Sequence, residues 1–376
     1  KPSSAASDVY KRQLMNKVNI LQVMPEFGLA GAETMCETLC YQLQASGKYN
    51  VVVVSLFDFH SSITDRMEDR GIKILYLGKK QGLDLSVIQK LYRVMKDYRI
   101  DIVHTHLYVM QYAIPAAILA RVKVRIHTVH NIASKEVEGY RKKLAYWFYK
   151  FNNVVPVSIS PLIQNTVVEQ YHITKLQTPV VYNGSDLHRC LVKNDYVASK
   201  PFRIVHIGRF NPQKNHGAII EAAEILKKDG IDIHINLIGG AGNEESWKLE
   251  VKQKDLTDMI EFSGIQSNVY PFLKEADCFI LPSFYEGMPI TLVEAMGCGM
   301  PIIASFVGGV PDMIEDGVSG LLIQPTATDL VSAIKKLIID DVLREQIGKN
   351  ARNRSKQFSA EQMYEGYDKI YMSKWQ

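Results

Sequence analysis

Arg203-Ile204-Val205-His206-Ile207-Gly208-Arg209-Phe210-Asn211-Pro212-Gln213-Lys214-Asn215 reads as a buried strand released into a glycine turn. Residues 218–228 behind it carry a helical apolar pattern, so the two together form a βα unit. The pattern repeats on both sides. Upstream, residues 19–24, 51–56, 73–77, 102–105, 124–129 and 154–158 are strand candidates, with helical patterns such as 32–44 and 86–98 between them. Downstream, 233–238, 259–262, 278–281, 301–304 and 320–323 alternate with helical patterns at 290–296 and 330–338, and 340–374 is charged and helical throughout. Strands separated by helices imply parallel sheets covered on both faces.

The rhythm breaks once, at the polar run 186–201. The expected organisation is therefore a non-native or disordered leader at 1–14 ahead of Met15, an N-terminal doubly wound domain over 15–185, and a linker over 186–201. A C-terminal doubly wound domain follows over 202–358, and a last helix over 359–376 crosses back to the first domain. A chain of 376 residues exceeds the about 250–300 that one core supports. Ligands of such sheets bind outside the carboxyl ends of the strands, so two facing units make a cleft.

Composition excludes other classes. Apolar residues are 47% and charged residues 22%, ordinary for a globular protein. No run of about 18 apolar residues is present, which excludes a membrane-spanning helix. The net charge of +4 is too mild to imply nucleic acid. Five scattered cysteines without a Cys-x-x-Cys pair read as reduced thiols of a cytoplasmic protein.

Three motifs carry chemistry. Phe27-Gly28-Leu29-Ala30-Gly31-Ala32-Glu33 follows the first strand and opens a helix, where glycines admit a ligand and helix N–H groups face an anion; a plain tight turn is the alternative. Arg209 and Lys214 flank the equivalent turn of the second half and suit a diphosphate, with a solvated basic loop as the alternative. Glu286-Gly287-Met288-Pro289-Ile290-Thr291-Leu292-Val293-Glu294 places one carboxylate before a helix and another about two turns into it. Taken alone, that spacing also fits a dipole-favoured Glu and an exposed one.

With its flanks, Pro282-Ser283 and Ala295-Met296-Gly297-Cys298-Gly299-Met300-Pro301, the third motif strongly resembles the retaining family 4 glycosyltransferases. Asn183-Gly184, Gly308-Gly309-Val310-Pro311-Asp312 and Gly317-x-x-Gly320 match the family in order, and the likeness runs from Val18 to the end. It implies the GT-B fold, two Rossmann-like doubly wound parallel-sheet domains facing across a cleft. It also implies roles. Arg209 and Lys214 would bind the donor pyrophosphate, Glu286 the hydroxyls of the transferred sugar, and Glu294 the nucleotide ribose. The N–H groups of Thr291 and Leu292 would face the phosphates, with Gly287 and Met288 beside them. Gly28 and Gly31 would form the donor-side glycine loop, and Gly264 would begin the loop beside the base. His130, in Thr128-Val129-His130-Asn131, matches the active-site histidine.

His104, His106, His127 and His130 cluster at strand ends, which raises a metal site. Acidic partners are missing and the family needs none, so no metal and no cofactor is expected. Residues 135–151 combine Arg141, Lys142 and Lys143 with Trp147 and other rings. They read either as an ordinary helix with a buried aromatic face or as a surface helix touching anionic lipid.

The expected activity is transfer of a hexose from a nucleoside-diphosphate sugar, UDP before GDP, to a hydroxyl of a glycan. The glycan is expected to be lipid-linked, in cell-surface polysaccharide synthesis at the inner face of the membrane. The rivals are a GT-B UDP-N-acetylhexosamine epimerase and a non-catalytic sugar-nucleotide-binding subunit.

Overall fold

The computed structural model describes residues 17–28 and 31–375. The leader expected at 1–14 lies outside them, as do positions 29 and 30 of the first glycine loop. Packing divides the chain into two units. The first takes the chain up to Thr128, Val137–Pro156 and the chain from Tyr367 onward; the second takes Val129–Glu136 and Val157–Gly366.

Twelve strands form among the described residues. The first sheet holds β1 (Val18–Met24), β2 (Tyr49–Ser55), β3 (Lys73–Tyr76), β4 (Ile102–His106), β5 (Val124–Val129) and β6 (Val154–Ser158), in the order β3-β2-β1-β4-β5-β6. The second holds β7 (Phe202–Ile207), β8 (Ile233–Ile238), β9 (Ile260–Gly264), β10 (Cys278–Leu281), β11 (Ile302–Ser305) and β12 (Leu321–Ile323), in the order β12-β11-β10-β7-β8-β9. Read from β9 inward, the second order repeats the first. The pairings are parallel, for instance Ile20↔Val51 and Ile204↔Ile235. This is the doubly wound α/β architecture the alternation implied. In each sheet the winding reverses beside its first strand, between β1 and β4 and between β7 and β10. Doubly wound sheets place their ligands at such reversals, outside the carboxyl ends of the strands.

Central strands are buried along their whole length, as covered parallel sheets require: β4, β10 and β11 have no exposed residue. In the second unit Ile204, Ile235 and Leu237 pack with Ile219, Ala223 and Leu226 of helix His216–Lys228 and Leu330 of helix Ala327–Ile339. Each fully buried aliphatic side chain contributes about 1.5–3 kcal/mol.

Two stretches depart from their helical reading. Residues 340–374 are not one helical run. Asp340 is extended and caps helix Asp341–Ser355 through Leu343 N at 2.9 Å. Ser359 is extended again, bridging to Ser185 before helix Ala360–Trp375 begins. Residues 135–151 are likewise interrupted. Gly139, at φ +58, separates the turn Ala133–Glu136 from helix Tyr140–Phe151. Lys135 therefore does not share a helix face with Arg141. The polar run 186–201 is laid against the second unit: the Lys193 N–H donates to Cys298 O at 2.8 Å and Tyr196 Oη to Gly299 O at 2.9 Å.

Three of the four clustered histidines are tied into the first sheet. His104 meets Tyr371 Oη and Thr128 Oγ1, each at 2.7 Å, and Thr128 Oγ1 meets Tyr367 Oη at 2.6 Å. His106 meets Gln22 Oε1 at 2.9 Å, and His127 meets Thr105 Oγ1 at 2.9 Å. All three are fully buried among hydroxyl and amide partners. Among the described residues no group of three or more His, Cys, Asp or Glu is placed to hold a metal ion.

Candidate functional site in the second unit

The loops after β7 and β10 are joined where the winding reverses. Phe284 N donates to Gln213 O at 2.9 Å, Gln213 Nε2 donates to Tyr285 O at 2.8 Å, and Asn215 Nδ2 donates to Pro282 O at 3.0 Å. Asn215 occupies the left-handed region at φ +54 and opens helix His216–Lys228, so the turn and the helix start are one device. At the centre Lys214 Nζ donates to Glu286 Oε1 at 2.7 Å, with the side chains 15% and 6% exposed. Gln213 Nε2 also reaches Glu286 Oε2 at 3.4 Å. Arg209, in the same loop, is exposed.

The segment after Glu286 is shaped by close backbone approaches. Gly287 lies under the His130 carbonyl: a Cβ there would sit 2.9 Å from His130 O. Gly308, at φ +54, folds back onto the same segment, and a Cβ on it would fall 1.8 Å from Glu286 O. The Gly309 N–H donates to that carbonyl at 3.1 Å. The buried Met288 accepts from Asn183 N through its sulfur at 3.0 Å.

Helix Ile290–Gly297 follows, with Pro289 as its extended first cap. The Leu292 N–H donates to Pro289 O at 3.1 Å. Ile290 and Thr291 keep N–H groups without an acceptor among the described residues, and the buried Thr291 Oγ1 also lacks one. Glu294 lies on the same helix. Burial pushes its carboxyl up to about 7, against the opposing pull of Arg189 and of a 3.4 Å hydrogen bond from Tyr270 Oη. Arg189 stands over the Tyr270 ring, 5.2 Å from its centroid. Gly264 ends β9 at φ +64 and its carbonyl accepts from Gly239 N at 2.9 Å.

Two family models match the chain, glycosyltransferase family 4 over residues 29–189 and glycosyl transferases group 1 over 193–354. The chain belongs to the family 4 glycosyltransferases. The chain is 28% identical over 72% of its length, and 74% of the relative's, to the Escherichia coli UDP-Gal:alpha-D-GlcNAc-diphosphoundecaprenol alpha-1,3-galactosyltransferase. It is 29% identical to the Bacillus anthracis N-acetyl-alpha-D-glucosaminyl L-malate synthase, over 77% of this chain and 78% of that one. Anabaena HepE, solved in complex with UDP, shares the fold: the TM-score is 0.81 at 19% identity, over 95% of this chain and all of that one. The fold is that of the GT-B glycosyltransferases.

In this glycosyltransferase His130 is half-buried and belongs to the second unit. Burial lowers its imidazole to about 3, so it is neutral. Its loop is pinned by groups that no motif announced. Glu136 accepts from the backbone N–H groups of His130 and Asn131, and burial pushes its carboxyl up to about 7. Ala133 N donates to Thr166 Oγ1 at 3.1 Å, and Gln170 Nε2 donates to Ala133 O at 2.8 Å. Lys135 stands 3.9 Å from the centroid of Tyr285, the residue before Glu286. Arg189, Tyr270 and Glu136 were also missed from sequence, because none lies within a motif. Their roles arise from loops folding onto Glu294 and His130.

The remaining residues singled out from sequence lie in the first unit. Gly28 precedes positions 29 and 30, and Gly31 begins helix Gly31–Ala45. Lys142, Lys143 and Trp147 are exposed on helix Tyr140–Phe151. Arg141 differs: its guanidinium carbon lies 5.1 Å from the centroid of Tyr108 and 5.8 Å from that of Tyr140. It is therefore not one of three equivalent surface cations. Among the described residues no helix is long and apolar enough to cross a membrane.

Proposed function

We propose that this glycosyltransferase moves a hexose from a UDP-sugar, with retention of configuration and without a metal ion, to a hydroxyl of a lipid-linked glycan. The Lys214–Glu286 pair at the reversal of the second sheet carries the reading. A cation and a carboxylate held 2.7 Å apart suit a donor whose diphosphate and sugar hydroxyls are adjacent. Arg209, Lys214 and the Ile290 and Thr291 N–H groups would stabilise the departing diphosphate, the task a metal performs in other transferases. Glu286 would accept from the sugar hydroxyls, Glu294 from the ribose, and neutral His130 would hydrogen-bond the sugar near the reacting carbon. The diphosphoundecaprenol-linked substrate named for the Escherichia coli relative favours a lipid-linked acceptor.

With such an acceptor the enzyme would work at the cytoplasmic face of a membrane. Lys142, Lys143, Tyr146, Trp147 and Phe151 are exposed together on helix Tyr140–Phe151 and would touch the surface. Each cation near an anionic surface adds about 1 kcal/mol, screened by salt, so contact is reversible. A thermal-shift screen of UDP, GDP and ADP followed by their sugars tests the donor, since a ligand at 100 times its Kd adds about 2.7 kcal/mol. Acceptor-dependent UDP release from UDP-hexose then separates transfer from epimerisation and from binding alone. Stabilisation by GDP rather than UDP would reassign the donor, and the anomeric configuration of the product tests retention.

A further inference from the structure

The first unit has a reversal of its own, between β1 and β4, and a second cluster of polar side chains gathers there. Glu26 follows β1, Tyr108 and Gln111 follow β4, and Tyr140 and Arg141 open the helix after β5. Tyr140 Oη donates to Gln111 Oε1 at 2.7 Å. That bond fixes the amide and leaves Gln111 Nε2 without an acceptor, on a side chain 9% exposed. Arg141 Nε is also buried without an acceptor. The Arg141 guanidinium stands near two tyrosine rings. A guanidinium held by ring faces keeps its N–H donors free in its own plane for an oxyanion. Two buried donors without acceptors, of which one is cationic, are costly unless a ligand satisfies them.

We propose that Arg141 and Gln111, framed by Tyr108 and Tyr140, form a binding site for a phosphate-type oxyanion carried by the acceptor. The proposal rests on the transferase reading above, with the donor in the second unit. It names the part of the acceptor that this protein recognises: a phosphate or diphosphate ester, not only a sugar. Glu26 is the carboxylate of the site. It opposes Arg141 at the Tyr108 hydroxyl, whose titration is raised mainly by burial, then by Glu26, and lowered by Arg141. Arg141 is thereby separated in function from Lys142 and Lys143, which have the exposure of a surface contact.

The test is calorimetric titration of inorganic pyrophosphate into the full chain saturated with UDP, which occupies the donor site. Wild type should bind one pyrophosphate. Arg141→Gln should weaken it at least tenfold, as loss of a charge-assisted bond does. Gln111→Ala should weaken it several-fold, Arg141→Lys should retain part of it, and Glu26→Gln should tighten it. UDP affinity, measured in the same samples, should stay unchanged in all four and reports an intact fold. Citronellyl diphosphate should follow the same order, and phosphatidylglycerol vesicles should bind Arg141→Gln as well as wild type. No pyrophosphate binding to the UDP complex, or equal binding by wild type and Arg141→Gln, overturns the proposal. So does an Arg141→Gln defect confined to vesicles. Failure of UDP itself to bind would instead overturn the donor reading.

Discussion

Lys214→Met tests whether the centre of the second unit is a buried ion pair or a surface contact. The Nζ–Oε1 distance is 2.7 Å and the side chains are 15% and 6% exposed. Removing one partner of a buried pair leaves an uncompensated charge and costs about 3–5 kcal/mol, whereas an exposed pair contributes about 0–1 kcal/mol. Gln213 donates to Glu286 at 3.4 Å and shields part of the orphaned carboxylate, so the lower end, about 3 kcal/mol, is expected. Glu286→Gln should cost a similar amount. The double variant should cost far less than the sum, with a coupling of at least about 2 kcal/mol, because both charges leave together. The protein has three tryptophans, and of these only Trp247 lies in the second unit. In a Trp147→Phe/Trp375→Phe background, Trp247 fluorescence during urea unfolding reports that unit alone, which avoids treating a two-unit chain as one transition. Single costs under 1 kcal/mol with no coupling would refute the reasoning.

Gly308→Ala should reduce kcat at least tenfold, since its Cβ would meet Glu286 O at 1.8 Å, whereas Gly317→Ala, at φ +69 in open space, should cost only about 1–2 kcal/mol of backbone strain and spare turnover. If Glu294 binds the ribose as proposed and does so ionised, the affinity for UDP-glucose should fall about tenfold from pH 8 to pH 6, because burial raises its carboxyl to about 7; Glu294→Gln should flatten the profile. The same raised value means that Glu294 stabilises the free protein most below its ordinary range near 4.5, and that this contribution is lost as pH rises through about 7. Glu136→Ala should lower kcat and stability, by about 1–3 kcal/mol for orphaned backbone N–H groups, without changing UDP affinity, and Glu136→Gln should restore both because its carbonyl still accepts.

The strands were legible because covered parallel strands are short, continuous apolar runs bounded by polar turns. The stretches at 278–281 and 233–238 coincide with β10 and β8 for that reason. Boundaries set by hydrogen bonding drifted instead: β9 ends at Gly264, beyond its apolar residues, where Gly239 still pairs with it. The interrupted helices were not legible, since Ser359 and Gly139 stop a helix through backbone conformation while the surrounding apolar spacing continues. In the site, the motif loops displayed their residues because one loop carries several of them. Arg189 escaped because it acts on Glu294, distant in sequence, which spacing cannot register, and Glu136 escaped because the turn that brings the His130 and Asn131 N–H groups back to it belongs to no motif. Arg141 was seen, but its setting was not: three consecutive cations look alike in sequence, and only the Tyr108 and Tyr140 rings set the first apart.

The titration states constrain how the proposed chemistry can divide its work. Burial lowers the His130 imidazole to about 3, so near neutral pH it carries no charge to the reaction. Glu286 is engaged at both oxygens, by Lys214 at 2.7 Å and by Gln213 at 3.4 Å. A carboxylate neutralised in this way is a poor nucleophile and a good acceptor for sugar hydroxyls. On the proposed reading, charge that develops on the departing diphosphate would then be met by Arg209, by Lys214 and by the first N–H groups of helix Ile290–Gly297. Lys214 can serve both groups, because an ammonium has three donors and its bond to Glu286 uses one. Retention without an enzymic nucleophile would follow if the acceptor oxygen enters on the face the diphosphate leaves and passes its proton to the leaving phosphate oxygen. On this division Glu286→Gln should lower kcat more than the donor KM, and hydrolysis of UDP-hexose by the variant should leave no glycosylated enzyme detectable by mass. A trapped glycosyl ester on Glu286 in the wild type would overturn the division.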